Sequence, residues 1–299
     1  MTLQDALAAA RHRLVSAGIA AGEAALDVDL FARTILGWDR ARLLTELRAM
    51  VPAALEPRFS QWVARREQRE PSAYIVGVRE FWGLEFTVSP AVLIPRPESE
   101  LIVEAAVARL CDSRAPRVAD VGTGSGCIGV SIAHTVTTAR VVATDISAEA
   151  LRVARENATR IGVGGRRRFV ETSYLDALAG PFDVIVSNPP YVKDEDRKHT
   201  SRAVVKYEPH VALFGGDDGL GGVRAVLEGA RTRLASGGWL IFEFGLGQDE
   251  EVREMVGGYP EYRLDTIRND LQGIPRTAVV QGRTAVRRNL RFRDPSRAD

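Results

Sequence analysis

The chain has 299 residues, 45% hydrophobic and 26% charged, with 40 Lys and Arg against 39 Asp and Glu for a net charge of +1. Such a composition is that of an ordinary soluble globular protein, long enough for two domains and a sizeable core, and its balance argues against a long-range electrostatic grip on nucleic acid or membrane. No apolar run approaches the ~18 residues that span a bilayer, and Met1-Thr2-Leu3-Gln4-Asp5 is not a signal-peptide start, so a cytoplasmic protein is expected. Cys111, Cys127 and the four histidines are too scattered for a metal site, and reduced structural cysteines are the default.

Residues 1–72 read as a small helical domain. Leu3, Leu7, Ala10 and Leu14 recur at helical spacing, and the run breaks between Gly18 and Gly22. Leu26, Val28, Leu30, Phe31 and Ile35 give a second helix, ended by Gly37. Leu43, Leu44 and Leu47 mark a third. Pro52 opens a fourth, with Phe59, Trp62 and Val63 on one face and Arg65, Arg66 and Arg69 on the other. Residues 73–95 read as a linker containing a β-hairpin. Leu84, Phe86 and Val88 alternate before a turn at Ser89-Pro90.

Residues 96–284 read as the main domain. Pro97 followed by acidic residues starts a helix through Leu110. Strands then alternate with helices. Strands are expected at Arg117–Val121, Arg140–Thr144, Phe169–Glu171, Asp183–Ser187 and Trp239–Phe244. Helices are expected at Cys127–Thr135, Ala148–Arg160 and Gly222–Leu234. This order predicts a doubly wound, mostly parallel α/β sheet, with Tyr262–Ile267 and Thr277–Gln281 as an antiparallel edge hairpin. Residues 285–299 are expected to form a loose basic tail.

Two segments carry chemistry. Asn188-Pro189-Pro190-Tyr191 follows the apolar run Val184-Ile185-Val186, so it sits where a buried strand ends, and ligands bind there in open α/β sheets. The Asn188 side-chain carbonyl and the Pro189 backbone carbonyl suit the two N–H bonds of a planar NH2 group. The prolines stiffen the corner, and Tyr191 offers a flat face. The tetrapeptide holds no general base, which a strong electrophile makes unnecessary. A simple turn after a strand explains Asn-Pro-Pro as well when it is taken alone.

The second segment is Asp120-Val121-Gly122-Thr123-Gly124-Ser125-Gly126, between a strand and a helix. Its glycines permit a tight turn and close ligand approach, and Asp145 at the end of the next strand suits a ribose. An N-cap role for Asp145 stays open. The third glycine falls one residue too early for the GxGxxG dinucleotide pattern. S-adenosylmethionine has no pyrophosphate and does not need that pattern, and its sulfonium methyl is a strong electrophile.

With these motifs the chain resembles the bacterial release-factor glutamine N5-methyltransferases, the HemK/PrmC group. The resemblance runs through Arg79–Phe86, Val92–Glu100, Asp120–Gly126, Asp145-Ile146-Ser147, Ser187–Tyr191, Tyr207-Glu208-Pro209, Ala212–Leu220, Glu243-x-Gly245-x-x-Gln248 and Asn269-Asp270-Leu271-x-Gly273. It implies a class I S-adenosylmethionine-dependent methyltransferase domain of Rossmann-like fold, behind a helical substrate-recognition domain and a β-hairpin linker. It implies S-adenosylmethionine on Gly122, Thr123, Gly124, Ser125, Gly126 and Asp145, bordered by Asn188. Tyr174 stands where the family often has a Trp near the adenine. It implies catalysis by Asn188, Pro189 and Tyr191, with Pro190 completing the amide site. The implied substrate is the glutamine of the Gly-Gly-Gln motif in class 1 release factors. Apart from the resemblance, a monomer is the default expectation, and the near-zero charge and scattered histidines speak against direct nucleic-acid contact and a metal. Competing readings are a ribosomal-protein glutamine methyltransferase, a nucleic-acid adenine methyltransferase, which would need base flipping and a basic channel, and a non-enzymatic adenosine-binding module.

Overall fold

The computed structural model describes residues 1–110 and 113–283. Cys111 and the tail expected at 285–299 lie outside the described residues. Five helices come first: α1 (Leu3–Ser16), α2 (Ala21–Leu36), α3 (Arg40–Thr45), α4 (Arg58–Glu67) and α5 (Ser72–Val76). Thr2 caps α1 through a reciprocal bond pair with Asp5, and Gly37 closes α2 at φ 64°. Leu3, Leu7, Leu14, Val28 and Phe31 fill one shared core.

Four local expectations are corrected here. Pro52 opens only a 3-10 turn at Ala53–Leu55, and α4 begins at Arg58. Leu47 lies beyond the end of α3, while Leu26 and Leu44 face solvent. Arg66 does not join an exposed basic face. It is buried, its Nε donating to Asp27 Oδ2 at 2.6 Å and its Nη2 to Glu23. A buried acid two turns into α2 decides that, and spacing within α4 alone does not reveal it. The hairpin pairs β1 (Val78–Phe81) with β2 (Leu84–Thr87), turning at Trp82-Gly83 and not at Ser89-Pro90. Both turn residues have positive φ, which matches the twist of the flanking strands.

The bundle is tied to the rest through α5. Ala73 and Tyr74 pack with Val88, Val92 and Ile94, and with Ala150 and Val153 of α8 (Ala148–Arg160). The Tyr74 hydroxyl donates to the Val92 carbonyl at 2.6 Å.

The main domain opens with a 3-10 turn, Pro97–Ser99, running into α6 (Glu100–Leu110). Next come β3 (Arg117–Val121), α7 (Cys127–Thr135), β4 (Arg140–Asp145), α8, β5 (Arg167–Glu171) and β6 (Phe182–Ser187). They are followed by α9 (Arg202–Tyr207), α10 (Gly221–Ala230), β7 (Leu234–Glu243), α11 (Asp249–Gly257), β8 (Tyr262–Asn269) and β9 (Pro275–Gly282). The strand order is β5-β4-β3-β6-β7-β9-β8. The first five pair in parallel, and β9 is antiparallel to both its neighbours.

Central strands read as continuous apolar runs because both faces are covered. In β6, Val184 and Val186 face the core under α6 and α7, while Ile185 faces the core under α10. Each such fully buried side chain contributes about 1.5–3 kcal/mol. The chain winds outward from β3 through β4 to β5, then returns to β6 on the other side of β3. The crevice between the carboxyl ends of β3 and β6 is therefore the topological switch point.

Candidate active site

The loops leaving β3 and β6 meet at that crevice. Val121 pairs with Ser187 in register, and Ser187 Oγ donates to the Val121 carbonyl at 2.9 Å. One cavity is bordered by Gly122, Thr123, Gly124 and Ser125 from the β3 loop, and by Asp145 and Tyr174. Asn188, Pro189 and Pro190 border it from the β6 loop. The structure thus brings together most of the residues singled out by sequence.

Two of them stand apart. Gly126 is the left-handed N-cap of α7, packed against Ala154, and does not line the cavity. Nor does Tyr191, whose hydroxyl is spent inward on Glu243 at 2.9 Å. Burial, with the Glu243 carboxylate, pushes that hydroxyl's pKa far above the ordinary tyrosine value.

The β3 loop is fixed from below by Asp120. Its Oδ2 accepts from the Thr123 hydroxyl at 2.5 Å and from the Gly129 amide at 3.0 Å. A Cβ at Gly129 would stand 2.6 Å from that oxygen, so the approach needs glycine. Burial pushes the Asp120 carboxyl up to about 6, against the pull of these two donors and of Arg167. Gly122 and Gly124 adopt φ 69° and 54° with open space where a Cβ would stand.

Asp145 is not the cap of α8. Ser147 is, its side chain accepting from the Ala150 amide. Asp145 instead accepts from the Gly124 and Ser147 amides, each at 2.9 Å, one on each carboxylate oxygen. Burial raises its pKa, and the backbone donors oppose that rise. A carboxylate offers about four lone-pair sites, so roughly two remain on the cavity side. Beside it stand Ile146 and the ring of Tyr174. Tyr174 is held at φ 42°, and its carbonyl accepts the Thr144 hydroxyl at 2.8 Å. A side-chain-free glycine cradle, a preoriented acid and an apolar, aromatic wall fit an adenosine carrying a small sulfonium tail.

The β6 loop is held by residues distant in sequence. Asn188 Nδ2 donates to Ser99 Oγ at 2.9 Å, and Ser99 Oγ donates to Glu243 Oε2 at 2.6 Å. Among the described residues Asn188 Oδ1 accepts no hydrogen bond. Glu243 is almost fully buried at the end of β7, and burial raises its pKa while Ser99 and Tyr191 counteract. Gln248 donates to the Tyr191 carbonyl at 3.1 Å and accepts from the Gly245 amide at 2.7 Å. Pro95 and Arg96 border the cavity too. Buried Glu208 fixes that strap by accepting from the Ile94 amide at 3.2 Å and from Arg96 at 2.7 Å.

Glu243, Ser99, Glu208 and Gln248 were not picked out from the sequence as functional residues. Two signals pointed to Glu243: it closes the apolar run Leu240-Ile241-Phe242, and it opens the Glu243-x-Gly245-x-x-Gln248 segment of the family resemblance. Among the described residues no cluster of His, Cys, Asp or Glu is placed to hold a metal, and no helix is long and apolar enough to cross a membrane.

Fold and cavity define a class I S-adenosylmethionine-dependent methyltransferase. The family described as "Methyltransferase small domain" matches residues 98–212, and "PrmC N-terminal domain" matches residues 5–77. The chain is 41% identical to the release factor glutamine methyltransferase of Bradyrhizobium diazoefficiens, over 87% of this chain and 88% of that one. It is 40% identical to the protein of the same name from Moorella thermoacetica, over 95% and 99%. The solved methyltransferase from Pyrococcus furiosus superposes with a TM-score of 0.52 at 20% identity, over 75% of this chain and 99% of that one. The hMettl16 catalytic domain does so at 0.55 and 17%, over 75% and 80%. These two structures bear on the fold alone. The chain belongs to the release factor glutamine methyltransferase family.

Proposed function

We propose that this chain transfers a methyl group from S-adenosylmethionine to the side-chain amide nitrogen, N5, of the glutamine in the Gly-Gly-Gln motif of class 1 peptide chain release factors. The observation that carries this reading is one cavity at the β3/β6 switch point, with the glycine cradle and Asp145 on one wall and Asn188 and Pro189 on the other. The names of the relatives supply the substrate class.

S-adenosylmethionine, when bound, supplies an electrophilic sulfonium methyl. Gly122, Thr123, Gly124 and Ser125 would wrap it, with Gly126 shaping the turn. Asp145 would accept its ribose hydroxyls, and Tyr174 would cover the adenine. Glutamine's amide nitrogen is a weak nucleophile because its lone pair is delocalised into the carbonyl. Asn188 Oδ1 accepts one N–H and the Pro189 carbonyl accepts the other. The pair orients the NH2 and stabilises positive charge as it grows on nitrogen. Pro190 stiffens this corner, and Tyr191 braces it through Glu243. The surplus proton leaves nitrogen for water. Helices α1–α5 serve as the platform for the protein substrate, and the chain works as a cytoplasmic monomer without direct nucleic-acid contact.

The test is tandem mass spectrometry of purified release factors after incubation with the chain and methyl-labelled S-adenosylmethionine. The expected result is one added methylene on the glutamine of Gly-Gly-Gln. Label found instead on a ribosomal protein or on nucleic acid overturns the reading.

A further inference from the structure

Ser99 Oγ sits between two groups, 2.6 Å from Glu243 Oε2 and 2.9 Å from Asn188 Nδ2. A serine hydroxyl has one hydrogen to donate and lone pairs with which to accept. Glu243 receives a hydroxyl on each of its two oxygens, from Ser99 and from Tyr191, and so takes the Ser99 hydrogen in a short bond. Ser99 Oγ must then accept on its other side, and what it accepts is the Asn188 NH2. The Asn188 carbonyl oxygen is thereby turned away from Ser99. The two ends of an asparagine amide are nearly the same shape, so packing alone selects poorly between them, and hydrogen-bond polarity decides. The second Glu243 oxygen is held by the Tyr191 hydroxyl, so both carboxylate oxygens face donors from the amide wall.

We infer that Glu243, acting through Ser99, is a positioning residue that sets the flip of the Asn188 amide, so that the cavity meets a hydrogen-bond acceptor and not a donor. The inference rests on the proposed glutamine chemistry. An acceptor at that point attracts the substrate NH2, whereas a flipped Asn188 would set its own N–H bonds against those of the substrate. Among the described residues the Glu243 side chain reaches the site through Ser99 and Tyr191.

Glu243→Gln keeps the size of the side chain but adds a donor. Its NH2 can donate to Ser99 Oγ, whose hydrogen then turns to Asn188 and reverses the amide. Ser99→Ala deletes the link, and Ser99→Thr keeps its oxygen. Full-length variants are assayed for kcat and KM on a release factor, with S-adenosylmethionine Kd by calorimetry. Glu243→Gln and Ser99→Ala should each lower kcat by about 10–100-fold, by analogy with the loss of a partner that orients a metal ligand. Cofactor Kd should stay close to that of the wild type, and Ser99→Thr should lose far less than Ser99→Ala. Wild-type kcat in both Glu243→Gln and Ser99→Ala overturns the inference. So does a loss of cofactor affinity that matches the loss of kcat, because Glu243 would then only be propping up the pocket. An active wild type with unaffected variants sinks this inference alone. A wild type that does not methylate the release factor sinks the glutamine reading and this inference with it.

Discussion

The two walls of the cavity differ in how far along the chain their supports come from. On the glycine-loop wall, Asp120 holds Thr123 and Gly129, three and nine residues away, and Asp145 holds Gly124 from 21 residues away. On the amide wall, Asn188 depends on Ser99 across 89 residues, and Tyr191 depends on Glu243 across 52 and Gln248 across 57. The first wall is nearly complete within two successive βαβ units. The second exists only after β7 has docked against β6 and the Pro97–Ser99 turn has packed over its end. Damage to either wall should therefore appear in different measurements.

The largest effect is expected from Asn188→Ala. Loss of one aimed polar group typically costs about 10²–10³-fold in turnover. Methyl transfer should fall by that much while cofactor affinity, measured by calorimetry, changes little. Near-normal turnover would erase the distinction between the walls. Asp145→Ala should do the reverse. A hydrogen bond to a charged group contributes about 1.5–3 kcal/mol, so cofactor Kd should weaken on the order of 100-fold, with kcat at saturating cofactor affected less. Unchanged affinity would remove Asp145 from the cofactor wall.

A third effect, read in stability and not in turnover or cofactor binding, depends on pH. Asp120 titrates at about 6 in the folded chain, against an ordinary 3.8. Between those values the folded state keeps a proton that the unfolded state has released. Its contribution is therefore fully present below 3.8 and is lost as pH rises through about 6. Thermal melting of wild type and Asp120→Asn across that range should show the wild type losing ground as pH rises. A difference that is flat with pH would mean that burial of Asp120 carries no such cost.

Much of the main domain was legible because its signals are local. Cys127–Thr135 and Ala148–Arg160 carry their boundaries in neighbouring residues, a glycine before one and a serine cap before the other. The apolar runs of β3 and β6 place the Gly122–Ser125 loop and Asn188-Pro189-Pro190 at strand ends before any pairing is known. Legibility failed where a partner lay far away. Arg66 reads as one more surface arginine until Asp27 and Glu23 are brought against it. Tyr191 reads as a stacking face until Glu243 claims its hydroxyl. Helix α9 is one short stretch with no buried residue and no side-chain cap, so it leaves little periodic trace, whereas α11 opens on Asp249-Glu250-Glu251, a start signal that was not picked out from the sequence.

The amino-acid order alone determined most of the alternation of strands and helices, and the two loops that hold the reactive side chains, though the helix expected to run to Leu234 ends at Ala230 and Leu234 opens β7. It did so because hydrophobic period, glycine placement and proline act over a few residues. Strand order, the meeting of those loops at the switch point, and the hydrogen-bond polarity reaching Asn188 from Glu243 were decided by tertiary structure. A hydrogen bond between residues 89 or 144 positions apart leaves no periodic trace, since it is made only when the sheet has brought its ends together.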